Sequence, residues 1–240
     1  MAQKVIKALQ AEFEISYELT NINNKSNTII FLHGWGSNKD IMKQAFKNTL
    51  NDYCHLYVDM PGFGKSNLPI SLHTIQYATI IQELLNSLEI TPNMIIGHSF
   101  GGKVATLLNP KILVLLSSAG IKTQKSIKVR SKIAVTKILN KIAPNLAKIF
   151  KNSLRSKDVY NADENLYQTF KNVVDEDFSD IFENFTNKTF IFWGRDDLIT
   201  PLTSGKIIHS KIKDSKFIEL DGDHFFFLQQ ANKIQKVLDC

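Results

Sequence analysis

The stretch NMIIGHSFGGK, residues 93–103, sets a serine between two glycines directly after an apolar run. Gly-x-Ser-x-Gly after a strand is the spacing of a nucleophile elbow, a sharp strand-to-helix turn that exposes the serine hydroxyl. Gly97 and Gly101 suit such a turn, because bulkier side chains would crowd the strand and the helix that flank Ser99. The stretch therefore predicts a strand, a tight turn and a helix, with Ser99 as the candidate nucleophile.

On both sides of this turn, short apolar runs alternate with segments of helical spacing. Continuous apolar strands separated by helices indicate an α/β protein with a parallel sheet that is buried on both faces. The opening EFEISYEL, residues 12–19, alternates in polarity and predicts an antiparallel edge strand. The other predicted strands cover residues 28–34, 54–60, 93–97, 111–120, 189–194 and 216–220. The predicted helices cover residues 39–50, 71–88, 100–108, 203–210 and a last segment after His224.

The alternation stops from Ile121 to Lys188, where helical spacing takes over. We therefore expect a core formed by residues 1–120 and 189–240, and a helical cap inserted at residues 121–188. Apolar stripes of the cap are expected to roof a substrate pocket between cap and core. Two stripes repeat at i, i+3, i+4 and i+7: Val135, Ile138, Leu139 and Ile142, and Phe178, Ile181, Phe182 and Phe185.

Composition and length are those of a folded protein: the chain has 240 residues, of which 43% are hydrophobic and 22% charged. Its N-terminus lacks the apolar segment of a secretory signal, and no run has the length of a membrane span, so we expect a cytoplasmic protein. Cys54 and Cys240 are too few for a disulfide framework and lack metal-ligand spacing. Both are interpreted as free thiols.

The net charge of +6 is unevenly distributed along the chain. Every charged residue from Ile121 to Lys157 is basic, whereas every charged residue from 158 to 183 except Lys171 is acidic. One interpretation is a solvated basic face that its acidic neighbour partly neutralises. The other is recruitment of an anionic partner to the basic segment. We expect no nucleic acid as a partner.

A serine hydroxyl is a weak nucleophile at neutral pH and needs a base, together with a group that orients the base. In parallel α/β sheets the reactive groups collect at the carboxyl ends of the strands. His224, in LDGDHFFFL, follows the last predicted strand and is the best placed of the six histidines. The acid should follow the preceding strand, in FWGRDDLITP, where Asp196 and Asp197 are hard to separate.

The same chemistry needs backbone N–H groups that bind the negative charge of a tetrahedral intermediate. The loop HGWGSNK, residues 33–39, offers the N–H of Trp35. The second donor is the N–H of Phe100, the residue after the nucleophile, which also begins a helix where partial positive charge helps. Trp35 and Phe100 are therefore the predicted oxyanion-hole donors.

Together these pieces resemble the α/β-hydrolase family, specifically its small, cap-bearing, serine esterase-like members. The family's Gly-x-x-Asp-x-x-x-Pro pattern matches Gly194, Asp197 and Pro201, so the resemblance implies that Asp197 is the acid. It also implies an eight-stranded, mostly parallel sheet with a helical cap after strand six. The resemblance covers nearly the whole chain and rests on HGWG (33–36), DMPGFGKS (59–66), GHSFGG (97–102), WGRDDLITP (193–201) and GDHFFF (222–227).

One stretch points to a different chemistry: GFGKS, residues 62–66, looks like the end of a phosphate-binding P-loop. A P-loop would need glycine at the position of Asp59, and Pro69 falls where its helix should run. The sequence therefore argues against nucleotide hydrolysis.

The expected activity is that of a serine hydrolase that cleaves a small or medium carboxylic ester or thioester through an acyl-enzyme. Its partner would be a small-molecule acyl substrate, and the chemistry asks for no metal or organic cofactor. A carbon-carbon bond hydrolase or lyase would use the same triad. The HGWG motif and the basic segment are also similar to an esterase that acts on a carrier-protein-linked acyl ester. The last alternative is a non-catalytic ligand-binding or signalling member of the fold.

Overall fold

Eight strands form a single sheet in the computed structural model, which describes residues 1–122 and 157–239, except for the side chains of residues 157–163. The strands are β1 (Ala2–Ala8), β2 (Ala11–Thr20), β3 (Thr28–Leu32), β4 (Cys54–Val58), β5 (Pro92–His98), β6 (Ile112–Leu116), β7 (Lys188–Gly194) and β8 (Ser215–Leu220). Their order across the sheet is β1-β2-β4-β3-β5-β6-β7-β8. The pairs β1·β2 and β2·β4 are antiparallel and all others are parallel.

Seven helices are described in the same residues. They are α1 (Lys39–Phe46), α2 (Thr74–Leu88), α3 (Phe100–Leu107), α4 (Lys157–Val174), α5 (Ser179–Glu183), α6 (Leu202–Lys211) and α7 (Phe227–Leu238), and a short 3-10 helix spans Ile22–Asn24. None of these helices is long and apolar enough to cross a membrane. The cytoplasmic location expected from the sequence stays a prediction.

The central strands are apolar along their whole length because both faces of the sheet are covered. In β3, Ile30 and Leu32 face the core under α2 and α3, whereas Ile29 and Phe31 face the core under α1 and α7. Every residue of this strand is buried. The continuous apolar runs of the sequence therefore mark strands between two helical layers, and the predicted α/β-hydrolase fold class is confirmed.

The prediction for the antiparallel edge was wrong by one strand. EFEISYEL lies in β2, which is second from the edge, and β1 forms the edge itself. In β1 only Ile6 is buried, while Lys4 and Lys7 are partly or fully exposed, so its apolar signal was too weak to identify a strand. Three strands also end earlier than predicted, at Leu32, Val58 and Leu116, because the residues after them turn into loops at the carboxyl edge.

The described part of the predicted cap consists of α4 and α5, which lie between β6 and β7 in the chain. The stripe around α5 packs into the core: Phe178, Phe182 and Phe185 are buried. The stripe from Val135 to Ile142 and nearly all of the basic segment lie outside the described residues. The division into core and cap therefore stays a prediction.

Polar side chains on one face of α4 attach this helix to the loop before α2. Leu72 N–H donates to Thr169 Oγ1 over 2.9 Å, and Asn172 Nδ2 donates to the Leu72 carbonyl over 3.2 Å. One turn earlier, Asn165 Nδ2 donates to the carbonyl of Pro69 over 2.9 Å. The spacing i, i+4, i+7 puts all three side chains on the same helix face. The contacts hold α4 above the carboxyl edge of the sheet.

A buried ion pair joins the start of α1 to the residue after β4. Lys39 Nζ lies 2.6 Å from Asp59 Oδ2, and the two side chains are 2% and 0% exposed. The N–H groups of Lys39 and Lys65 donate to the same carboxylate over 2.8 and 3.1 Å, and Lys39 Nζ also donates to Ser16 Oγ. Both charges are thus paired and hydrogen-bonded, which is the condition under which a buried pair is tolerated.

The position of Asp59 explains why a glycine and a serine occur in GFGKS, residues 62–66, the stretch that looks like a P-loop. Gly64 has a φ of 59°, and a Cβ at this position would collide with the Asp59 carboxylate. The Ser66 hydroxyl donates to the Asp59 carbonyl over 2.7 Å and accepts the Ser16 N–H over 2.9 Å. The glycine and the serine of GFGKS therefore wrap around an aspartate of the protein itself.

We expect Asp59→Asn to destabilise the fold strongly, because it leaves the Lys39 ammonium buried without a counter-charge. Removing one partner of a buried pair costs about 3 to 5 kcal/mol of the free energy of unfolding, to be measured by urea denaturation. The matched control is Glu12→Gln at the Lys7–Glu12 pair, whose side chains are 81% and 65% exposed. An exposed pair contributes little, so equal losses in the two variants would contradict the prediction.

Candidate active site

The strand β5 passes into α3 through one residue with strained backbone angles. Ser99 has φ 50° and ψ −114°, a combination that residues with a side chain rarely adopt. The Ser99 N–H donates to the Leu116 carbonyl over 3.1 Å, and the Ser99 carbonyl accepts the N–H groups of Gly102 and Ala119, both over 3.0 Å. These bonds hold the turn in place and leave the serine partly exposed at the carboxyl edge.

Two glycines make this turn sterically feasible. A Cβ on Gly97 would collide with the Gly101 carbonyl, and a Cβ on Gly101 would collide with the Leu32 carbonyl at the end of β3. The crowding expected from the sequence is therefore confirmed at both glycines. Because α3 begins so close to β3, the loop that leaves β3 comes alongside Ser99.

That loop, residues 33–36, lies directly beside the serine: a Cβ on Gly34 would be 3.2 Å from Ser99 Cβ. His33 fixes the loop, because its Nε2 accepts the Met60 N–H over 3.0 Å and its Nδ1 lies 2.8 Å from the Gly34 carbonyl. Nδ1 must therefore carry the hydrogen of a neutral ring. Burial lowers the pKa of His33 to about 4, which keeps the ring neutral.

The two residues predicted as oxyanion donors are neighbours in space. The rings of Trp35 and Phe100 meet edge to face with centroids 5.5 Å apart. Trp35 also contacts Phe63, at 4.9 Å, and Phe170 of α4, at 5.4 Å. The loop after β3, the start of α3 and helix α4 therefore come together around the indole of Trp35. The role of the two N–H groups stays a prediction.

The predicted base and acid are in contact. His224 Nδ1 lies 2.8 Å from Asp197 Oδ2, and the side chains are 6% and 0% exposed. Asp197 Oδ1 accepts the N–H groups of Ile199 and Thr200 over 2.8 and 3.0 Å. Burial alone would raise the pKa of Asp197, but the hydrogen bond and the charge of His224 outweigh it, so this pKa lies below its usual value. The ionised carboxylate is an acceptor that selects the Nδ1–H tautomer of His224.

The competing carboxylate has a different environment. Asp196 is exposed, and its backbone N–H donates to the Gly222 carbonyl over 3.0 Å. A Cβ on Gly194 would collide with the Asp223 carbonyl, so the loops after β7 and β8 touch through their backbones. Asp197, and not Asp196, is the carboxylate that this contact places against His224.

Sequence reasoning missed Thr200, whose hydroxyl lies between Asp197, His224 and the carbonyl of Ser117 after β6. Its Oγ1 lies 2.8 Å from Asp197 Oδ2, 3.2 Å from His224 Nδ1 and 3.1 Å from the Ser117 carbonyl. The buried Trp193 indole N–H donates to the Thr200 carbonyl over 2.8 Å. The only signal in the sequence was the position of this threonine between the acid and a proline.

Sequence reasoning also assigned no role to His98, which directly precedes Ser99. Its buried ring lies next to that of His224, with centroids 4.6 Å apart.

The hydrogen bonds of the described residues include none between the Ser99 hydroxyl and the His224 imidazole. Catalytic hydrogen bonds are often long in ligand-free structures and tighten in the substrate complex.

Three buried histidines make the stability of the protein sensitive to acid. Burial is the main cause that lowers the pKa of His33, His55 and His98. In the unfolded chain each returns to about 6.5, so below this pH the unfolded state binds protons that the folded state does not. The free energy of unfolding should therefore fall on acidification from pH 6.5, by up to about 1.4 kcal/mol per pH unit for each histidine.

Urea denaturation at pH 7.5, 6.5 and 5.5 measures this slope. His55→Gln should flatten it, because His55 bonds Tyr57 and Leu50 as a neutral ring. His209→Gln on the surface is the matched control and should leave the slope unchanged. The lowered pKa of Asp197 also stabilises the folded state, but this contribution is lost only when the pH falls below about 4. It therefore does not affect the slope between pH 7.5 and 5.5. A stability that is constant from pH 7.5 to 5.5 would contradict the prediction.

Comparison with known proteins agrees with this architecture. Residues 27–111 match the family model of the alpha/beta hydrolase fold. The uncharacterized hydrolase YugF of Bacillus subtilis (strain 168) is 21% identical over 226 residues, which cover 82% of this chain and 83% of that protein. With the fold described above, these matches show that the chain has the α/β-hydrolase fold.

Solved structures share the fold over almost their whole length. The esterase EaEST from Exiguobacterium antarcticum superposes with a TM-score of 0.77 at 23% identity and covers 99% of this chain and 98% of its own. The enol-lactonase from Burkholderia xenovorans LB400 has a TM-score of 0.77 at 16% identity and covers 98% of each chain. At such identities the likeness establishes the fold and leaves the substrate open.

Proposed function

We propose that this protein is a member of the α/β-hydrolase family and a serine hydrolase that cleaves a small or medium carboxylic ester or thioester through an acyl-enzyme. The observation that carries the proposal is the buried, 2.8 Å contact between His224 and Asp197 at the sheet edge where Ser99 occupies its strained turn. An orienting carboxylate, an imidazole and a partly exposed serine at one edge are the parts that activation of a serine requires.

In the proposed mechanism the Ser99 hydroxyl attacks the carbonyl carbon while His224 Nε2 takes its proton. Asp197 stabilises the imidazolium that forms, and the N–H groups of Trp35 and Phe100 bind the oxyanion. His224 then gives the proton to the leaving alcohol or thiol as the bond to the acyl carbon breaks. In the second half His224 takes a proton from water, the resulting hydroxide attacks the acyl-enzyme, and Ser99 regains its proton.

The neighbours in fold favour ester-type substrates over the alternatives. One is named an esterase and another an enol-lactonase, and a lactone is a cyclic ester. Carbon-carbon bond cleavage, a carrier-protein-linked ester and ligand binding without catalysis stay predictions of the sequence alone. Nearly all of the basic segment that would dock an anionic carrier lies outside the described residues.

We expect Ser99→Ala to abolish hydrolysis of a panel of p-nitrophenyl esters of increasing acyl length. Loss of a nucleophile of this kind lowers kcat by a factor of about 10⁶. A fluorophosphonate probe should label the wild type and Ser210→Ala, an exposed control, but not Ser99→Ala. Labelling that survives Ser99→Ala unchanged would refute the assignment. A wild type without activity, but with a ligand-dependent melting shift, would favour the binding alternative.

The adjacent aspartates provide a matched pair of variants. Asp197→Asn should lower kcat by about 10⁴, because an amide at this position favours the wrong tautomer of His224. Asp196→Asn changes the same chemical group one residue away, on an exposed side chain, and should stay within about twofold of the wild type. Steady-state kinetics on the best ester of the panel measure both. Equal losses would show that the charge of the loop matters, and not the contact with His224.

A further inference from the structure

We propose that His98 is a positioning residue for His224, which it holds through a hydrogen bond from Nε2 to the His224 backbone carbonyl and through contact between the two rings. The inference rests on the proposed function, because the orientation of His224 matters for catalysis only if this residue acts as the base. His98 precedes the nucleophile in the chain, so it would connect nucleophile and base directly.

The hydrogen bond has a single possible direction. His98 Nε2 lies 3.0 Å from the His224 carbonyl oxygen, which accepts and never donates. Nε2 must therefore carry the hydrogen. The other nitrogen, Nδ1, is buried and has no hydrogen-bond partner among the described residues. An unpaired buried acceptor costs free energy, which an aliphatic side chain of similar size would avoid. The donor at Nε2 is the feature that distinguishes histidine from such a side chain.

The His98 ring also fills the space between the two loops that flank the nucleophile. On one side its centroid lies 4.6 Å from that of His224 and 4.7 Å from that of Phe227. On the other side a Cβ on Gly34 would stand only 2.8 Å from His98 Nδ1. The ring is 1% exposed and therefore packs against both the loop after β3 and the loop after β8.

A second point of attachment is what the geometry of His224 requires. The bond to Asp197 holds one atom of the imidazole, and a ring held at one atom still pivots about it. A bond to the backbone carbonyl of the same residue restrains the main chain and thereby the direction in which Nε2 points. Displacements of about 1 Å in a catalytic group cost up to about a hundredfold in rate.

The charged and titratable groups around His98 favour a permanently neutral donor. His224, Asp197 and His33 face it. Burial, and next the charge of His224, lower the pKa of His98 well below its usual value. The hydrogen bond is therefore present in the same form throughout the neutral range.

The test compares His98→Leu, which removes the donor, with His98→Gln, whose side-chain amide places a donor near the position of Nε2. We expect His98→Leu to lower kcat and the rate of fluorophosphonate labelling about ten- to a hundredfold with little change in KM. His98→Gln should recover most of that loss. A packing role alone would not distinguish the two variants in this way.

The matched control is His55, which is equally buried and bonds a backbone carbonyl, that of Leu50, through Nε2 over 2.9 Å. It lies at the opposite end of the strands, so His55→Leu should lower the melting temperature and leave kcat within about twofold. Folded His98→Leu with the kcat of the wild type would overturn the inference. An equal loss of kcat in folded His55→Leu would overturn it as well.

Where His98→Leu does not fold, His98→Asn replaces it, because the shorter amide does not reach the carbonyl. A kcat of His98→Gln near that of the wild type, together with a low kcat of His98→Asn, would support the inference. Equal kcat values in the two variants would overturn it. A wild type that neither hydrolyses esters nor reacts with the probe would overturn the proposed function and this inference together. An active wild type with unaffected variants would overturn this inference alone.

Discussion

Close approach of backbone to backbone at the end of β5 is the constraint on which the rest of the site depends. Gly97 contacts the Gly101 carbonyl, and Gly101 contacts the carbonyl of Leu32, with no room for a Cβ at either glycine. The approach forces Ser99 into a strained conformation and brings the loop after β3 beside it. Gly194 plays the same part for the loops that carry the predicted acid and the predicted base. The loops that follow four strands and carry the predicted site residues lie close together because these glycines let the chain segments touch.

Buried polar groups then fix the loops that the glycines bring together. The Lys39–Asp59 pair anchors the loop after β4 to α1, and His33 ties the loop after β3 to Met60. His98 contacts the backbone of His224 in the same manner. The Lys39–Asp59 pair and the Nε2 atoms of His33 and His98 each bond a group from another element, which favours a single arrangement of this edge of the sheet. Rigid support of this kind is what a pre-organised site needs.

Much of the fold followed from local patterns, and the failures have physical causes. The buried strands were readable because coverage on both faces makes them apolar throughout, as in β3. The edge strand β1 could not be predicted in this way, because it pairs with one strand only and has a single buried residue, Ile6. The sharp turn at Ser99 could be predicted because such a turn requires glycines at fixed spacing. The position of Thr200 could not be predicted, because its contacts join the loops after β6, β7 and β8 and depend on no local sequence pattern.

Local sequence patterns predicted the order of strands β2 to β8, the turn that carries Ser99 and the two loops in which a base and an acid should be found. Those features are local, since hydrophobic period, glycine spacing and position after a strand are encoded within a few residues. Only the tertiary structure decided which side chains meet. Asp196 and Asp197 are neighbours in the same loop, yet only Asp197 points inward to His224, because the backbone contact between residues 194 and 223 sets the rotation of the loop. The support from His98 and Thr200 likewise depends on contacts between segments far apart in the chain, which no local pattern records.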